Sequence, residues 1–172
     1  MNLSLGPQEQ YQQDVRQIFG FSPDRSIVGS LIVESSISGV VGDVSFGDPS
    51  AGNRFRSSLP LDTAPSRFAA FAHVANTGGF FTGSAIFNPN NQSANVEVKV
   101  YRADGTLTGS AKFVVPSNGR ISKLLTEIVA ASAGQGGGYF TVESDQPVSS
   151  IALFGTTSLS ALSAIPAQGR VP

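Results

Sequence analysis

The sequence predicts an all-β protein, a β-sandwich in which one complete unit follows a half unit, each with one short helix. Three observations lead there. Through the second part of the chain, β-rich runs alternate with turn residues at intervals of about ten residues. One of those runs alternates apolar and polar side chains and ends in Asp-Gly. The chain also resembles itself at an offset of about 109 residues, and fixed-offset self-similarity outranks local propensity as a fold signal.

The self-similarity sets the organisation. Gly29-Ser30-Leu31-Ile32-Val33-Glu34-Ser35 aligns with Gly138-Tyr139-Phe140-Thr141-Val142-Glu143-Ser144. Val40 then aligns with Val148, Phe46-Gly47 with Phe154-Gly155, and Leu59-Pro60 with Ile165-Pro166. Residues 3–19 follow the apolar pattern of 113–129, whereas 66–112 have no earlier counterpart. The domains are therefore a partial repeat over 1–64 and a complete repeat over 66–172. A half sandwich exposes an apolar face and open strand edges, so it needs completion by another segment or chain.

In the half unit, Tyr11, Val15, Ile18 and Phe19 form a helical stripe. In the complete unit the pattern predicts strands over 68–74, 79–87, 94–102, 107–115, 138–143, 148–154 and 159–165. The period-two run is 94–102, with Ala103-Asp104-Gly105-Thr106 as its turn. Asn88-Pro89-Asn90-Asn91 supplies another turn, since proline fixes φ and asparagine tolerates positive φ. Residues 121–130 read as a helix with Ile121, Leu124, Leu125 and Ile128 on one face, ended by the Ala/Gly-rich stretch 131–137.

Composition narrows the function classes. Charged residues make up 13% and the net charge is -1, which leaves no electrostatic footprint for nucleic acid or anionic lipid. There is no cysteine and a single histidine, so thiolate chemistry and multi-histidine metal clusters are excluded and no cofactor is expected. No apolar run has the length of a membrane-spanning helix, so no membrane span is expected. The N-terminus lacks the charged start and apolar stretch of a signal peptide, so export would require a signal removed from the chain or lying upstream.

One set of residues has a family likeness: Phe71-Ala72-His73-Val74-Ala75-Asn76-Thr77-Gly78-Gly79, then Ile86-Phe87-Asn88-Pro89-Asn90, Gly138-Tyr139-Phe140-Thr141-Val142-Glu143-Ser144 and Ile165-Pro166-Ala167. It resembles the roughly hundred-residue tandem β-sandwich repeat of secreted and surface proteins of acidobacteria and other environmental bacteria. The resemblance implies an immunoglobulin-like sandwich on the cell exterior. It brings no catalytic residues with it.

Candidate sites each have a plainer reading. His73 sits in an apolar run without Cys, Asp or Glu nearby and reads as a structural histidine hydrogen-bonded to a neighbouring strand or loop. Gly134-Gln135-Gly136-Gly137-Gly138 lacks the Lys-Ser/Thr of a phosphate loop and runs from helix to strand, so it reads as a connector. Asp43 and Asp48 flank a loop where solvated turn residues are the default over cation binding. Asn91-Gln92-Ser93 makes Asn91 the candidate glycosylation position, against an unmodified turn, and Asn2-Leu3-Ser4 fits the same pattern. Phe80-Phe81 reads either as an exposed aromatic patch for a partner or sugar or as core residues entering a strand, with core favoured for one of the two and the other undecided. No Gly-x-Ser-x-Gly elbow accompanies the abundant serines.

The expected function is therefore non-enzymatic and structural: an extracellular or cell-surface subunit of a filament or surface layer, joined to other copies of itself by strand complementation. The residues expected to carry assembly are Leu3, Leu5, Leu31, Val33, Val40, Val44, Phe46, Ile165 and Val171. The alternative is a carbohydrate-binding or adhesive module with glycan partners, weakened by the absence of tryptophan.

Overall fold

The structure is a computed structural model that describes residues 1–22, 28–47 and 55–169. Contacts divide the chain into two units, Met1–Leu31 and Ile32–Pro172.

Met1–Leu31 contains one short helix, α1 (Val15–Phe19). Asp14 caps it, its carboxylate accepting the Arg16 N–H at 2.7 Å, and Gly20 ends it at φ 65, a left-handed conformation that costs glycine little. The helix falls on the predicted stripe, but none of its residues is buried.

Ile32–Pro172 holds all the strands among the described residues: β1 (Asp43–Gly47), β2 (Arg56–Pro60), β3 (Ser66–Phe71), β4 (Phe80–Phe87), β5 (Ala94–Tyr101), β6 (Leu107–Val115), β7 (Arg120–Leu124), β8 (Tyr139–Thr156) and β9 (Leu162–Pro166). The short helix α2 (Leu125–Ile128) and a 3-10 turn (Ala130–Ser132) lie between β7 and β8. Strands β1 and β2 form an antiparallel hairpin, and β3 to β9 form the all-β sandwich that the sequence predicts.

The 18-residue β8 organises the sandwich. Its first part pairs with β5 and β3, its second with β4 and β9, so two antiparallel sheets, β6-β5-β8-β3 and β7-β4-β8-β9, share one strand. The sequence predicts two strands here, 138–143 and 148–154. In the fold the stretch between them stays extended and passes from one sheet to the other. The β5 ladder ends at Ser144 and the β4 ladder begins at Ser149, so Pro147, which has no N–H to donate, sits between ladders.

Two other elements differ from expectation. Residues 120–124 form β7, paired with β4, where the apolar spacing predicts the start of a helix. The β4 edge offers Ile121 a ladder, and tertiary pairing outweighs local propensity for so short a segment. The helix is left with one turn, capped where Glu127 accepts the Leu124 N–H at 2.7 Å. Residues 28–42 hold no strand, although Leu31 and Val33 alternate as a strand would. A strand leaves its N–H and C=O groups unpaired unless a neighbour bonds them, and among the described residues no ladder includes residues 31–42.

The core lies between the two sheets. Phe71 and Phe140 stack at 4.7 Å among Val74, Ile86, Val96, Val98, Val100, Val115 and Val142. Asn88 is fully buried beneath the predicted Asn-Pro turn; its Nδ2 donates to the carbonyls of Gln92, Val115 and Pro116 at 2.7, 3.1 and 3.1 Å. Its Oδ1 accepts from the Asn90 N–H and side chain. This one residue ties β4 to the ends of β5 and β6.

Candidate assembly site

The hairpin β1–β2 is built like the pair β8–β9. Adding 108 to the β1 numbers and 106 to the β2 numbers turns Val44 opposite Leu59 into Ala152 opposite Ile165. The same shifts turn Phe46 opposite Ser57 into Phe154 opposite Ser163. The glycines that close each pair share a steric reason. A Cβ on Gly47 would meet the Phe55 carbonyl at 2.6 Å, and a Cβ on Gly155 the Ala161 carbonyl at 2.7 Å.

The two hairpins differ in their outer neighbours. The second part of β8 is bonded on its other edge to β4, from Phe80 opposite Thr156 to Phe87 opposite Ser149. Among the described residues, β1 is bonded only to β2. On the far side, β2 lies against β9, where Ser57 Oγ accepts the Ala164 N–H at 2.9 Å, and Leu59 is buried.

Burial follows the same division. The core cluster contains fifteen residues: eight come from 69–100, and the other seven are Val115, Leu125, Val129, Phe140, Val142, Val148 and Ala152. At the offsets of 108 to 110 those seven correspond to Leu5, Val15, Phe19, Leu31, Val33, Val40 and Val44, all of them exposed. Val142 is 1% exposed, whereas Val33 is 53% exposed. The apolar residues of a core are thus present twice, and only one set is covered.

The expected assembly residues are distributed accordingly. Leu3 and Leu5 lie in strand-free chain ahead of α1, and Leu31, Val33 and Val40 lie outside any strand, which corrects their reading as edge-strand residues. Val44 and Phe46 are on β1, whose outer edge is open. Ile165 is on β9, half-buried and packed against the core, so its side chain serves the sandwich. Val171 and Asp48 lie outside the described residues.

The remaining candidates take structural positions. The His73 ring packs edge-on against Phe154 at 4.5 Å and its Nε2 is buried without a hydrogen-bond partner, so at this nitrogen ring contact stands where a structural histidine's hydrogen bond would be. Phe80 is exposed on one face and stacks on Phe154, while Phe81 is half-buried. The Asp43 carboxylate accepts from Ser58 Oγ at 2.9 Å across the hairpin. Gly134, Gly137 and Gly138 take positive φ in the connector into β8. Asn91 is exposed on its turn. No group of three metal-ligating side chains occurs among the described residues, and no helix is long and apolar enough to cross a membrane.

The outer face of β6-β5-β8-β3 carries a charge ladder. Lys99 Nζ contacts Glu143 at 3.1 Å and Glu97 at 3.5 Å, and Lys112 reaches Glu97 at 3.9 Å. The bond to Glu143 holds the Lys99 ammonium above its usual pKa. At the end of this face, the Asn95 side chain and N–H both donate to Asp145, which lowers that carboxyl below the ordinary range. A shallow groove of about 680 Å³ on this face is lined by Arg67, Phe68, Asn95, Glu97, Lys112 and Glu143.

No family model matches the chain, and no curated protein matches it. Solved structures do. The chain is similar to Thermotoga maritima 1070, at 12% identity and a TM-score of 0.53, over 61% of this chain and 95% of that one. It is also similar to the Anabaena sensory rhodopsin transducer, at 17% identity over 52% of this chain and 97% of that one, with a TM-score of 0.44. FlgD from P. aeruginosa aligns at 20% identity over 54% and 75% of the two chains, with a TM-score of 0.31. At such identities a likeness concerns fold alone, and of these three the T. maritima structure, with a TM-score above 0.5, bears on it.

Proposed function

We propose that the chain is a non-catalytic structural module of an extracellular or cell-surface assembly, a filament or surface layer, whose units join by strand complementation. One observation carries this reading. All seven counterparts of the second-repeat core residues outside 69–100 stand exposed in the first 44 residues, and among the described residues the outer edge of β1 is bonded to no strand. Exposed apolar area of that extent stabilises association when another surface covers it. An open strand edge adds direction, because main-chain bonds fix the register of whatever docks.

The composition supports an exterior location, since a neutral, hydrogen-bonding surface with 13% charge suits a secreted structural repeat. Glycan binding draws less support. Tyr101 and Tyr139, the tyrosines of the sandwich, stack on each other at 4.8 Å and so cover one another's inner faces, and the groove on the outer sheet is lined by paired charges.

The test is light scattering and negative-stain electron microscopy across a dilution series. The chain should grow in size with concentration, and the double variant Val33→Asp, Phe46→Asp should stay monomeric. A chain that is monomeric throughout, or a double variant that assembles unchanged, would overturn the proposal.

A further inference from the structure

We infer that the element completing the first segment is a strand set of the β3–β5 type, supplied by a polypeptide whose own set is not engaged in a sandwich. The inference rests on the assembly reading above and names the partner.

In the complete unit, the second part of β8 is closed on its outer edge by β4, and the eight core residues of 69–100 cover Val142, Val148 and Ala152. The hairpin β1–β2 repeats the β8–β9 register, including the glycine close approach, so the open edge of β1 has the geometry that β4 meets. By that register Thr82 of such a strand would face Phe46, and Ser84 would face Val44. The small residues Gly83, Ser84 and Ala85 let this strand lie close to its neighbours, and Val96, Val98 and Val100 of the β5 run supply the apolar cover. The partner is therefore an antiparallel set with a small-residue strand followed by a period-two valine strand.

Strand counting decides the source. Each copy of the chain carries one β3–β5 set and two apolar segments that need it. Both edges of β4 are bonded, to β7 and β8, and both edges of β5, to β6 and β8. A second copy could donate the set only by opening its own sandwich, which exposes as much as it covers. Until such a set is supplied, copies of the chain associate through their exposed apolar faces, and strand complementation follows when a chain bearing a free β3–β5 set docks.

The register supplies the experiment. Residues 3–19 correspond to 113–129, so Ser110 of an added segment can be joined directly to Met1, with Met1 taking the place of Ala111. A second copy of residues 66–110 is fused ahead of the full chain, and the fusion is compared with the unfused chain and with a fusion carrying Val98→Asp in the added copy only. Sedimentation and limited proteolysis are the readouts. The fusion should be monomeric, with cleavage inside residues 1–60 slowed at least about tenfold, and the Val98→Asp version should lose both properties. Continued assembly with rapid cleavage in the fusion would overturn the inference and leave the assembly reading standing. Protection of residues 1–60 in assemblies of the unfused chain would also overturn it, in favour of a second copy as donor. An unfused chain that is monomeric and already protected would sink both.

Discussion

Val142 and Val33 occupy equivalent places in the two halves of the repeat, and replacing each by alanine tests the central asymmetry directly. Val142 is 1% exposed between Phe140 and the valines of β5, so Val142→Ala removes two buried carbon groups. Transfer alone is about 0.8 kcal/mol per group, and the unfilled cavity brings the cost to about 2–3 kcal/mol. In a sandwich of roughly a hundred residues each kcal/mol lowers Tm by roughly 4–8 °C, so the variant should melt about 8–24 °C lower. Val33 is 53% exposed, and the same substitution there should change stability by less than about 0.5 kcal/mol. Urea unfolding with unchanged m-values gives both numbers from the midpoints. In the chain carrying the fused 66–110 segment, Val33→Ala should become as costly as Val142→Ala. A loss of 2 kcal/mol from Val33→Ala in the unfused chain would show that the first segment is already covered and would refute the reasoning.

Other substitutions test the sandwich itself. Asn88→Ala strands three carbonyls around a buried side chain and should cost about 2–4 kcal/mol, read by urea denaturation; a loss under about 0.5 kcal/mol would mean water replaces the amide without penalty. Gly138→Ala should prevent β8 from docking beside β5, because its Cβ would collide with the Tyr101 carbonyl at a φ of 95°; wild-type circular dichroism and Tm would contradict this. For pH, Asp145 is lowered mainly by the Asn95 side chain, and Asp104 mainly by the Thr106 N–H. A lowered folded pKa contributes stability above the unfolded value of about 3.9 that is lost as pH falls through the folded one. Lys99, raised by Glu143, contributes below about pH 10.4 and loses that contribution as pH rises through its folded pKa. Midpoints should hold a plateau between these limits and drop on either side, with Asn95→Ala flattening the acid limb; an acid limb identical in that variant would remove Asp145 from the account.

Much of the sandwich was legible because its residues obey strict local rules. The alternation of 94–101 fixed which side chains of β5 turn inward, and Asn88-Pro89 announced the turn that Asn88 then locks. The register of β1–β2 was implicit in the spacing of Phe46-Gly47 and Leu59-Pro60 relative to their later counterparts. Signals of this kind survive in a single sequence because they depend on backbone geometry and side-chain period. The close approach at Gly47 and Gly155 left a trace too, since glycine recurs at both, though only coordinates show the carbonyl that requires it.

The rest depended on neighbours. Residues 121–124 have a helical stripe yet pair with β4, since an available edge is worth more than one turn of propensity. Ser144 to Pro147 contains turn residues yet stays extended, because the strand changes sheets where no ladder bond is needed. Leu31 and Val33 have a strand pattern and form no strand, because a ladder needs two partners. The sequence by itself determined the all-β class, the inward faces and the doubled pattern, all of which are periodicities of one chain. Only the tertiary structure decided which copy of the pattern is buried, because burial and strand pairing are properties of two surfaces in contact.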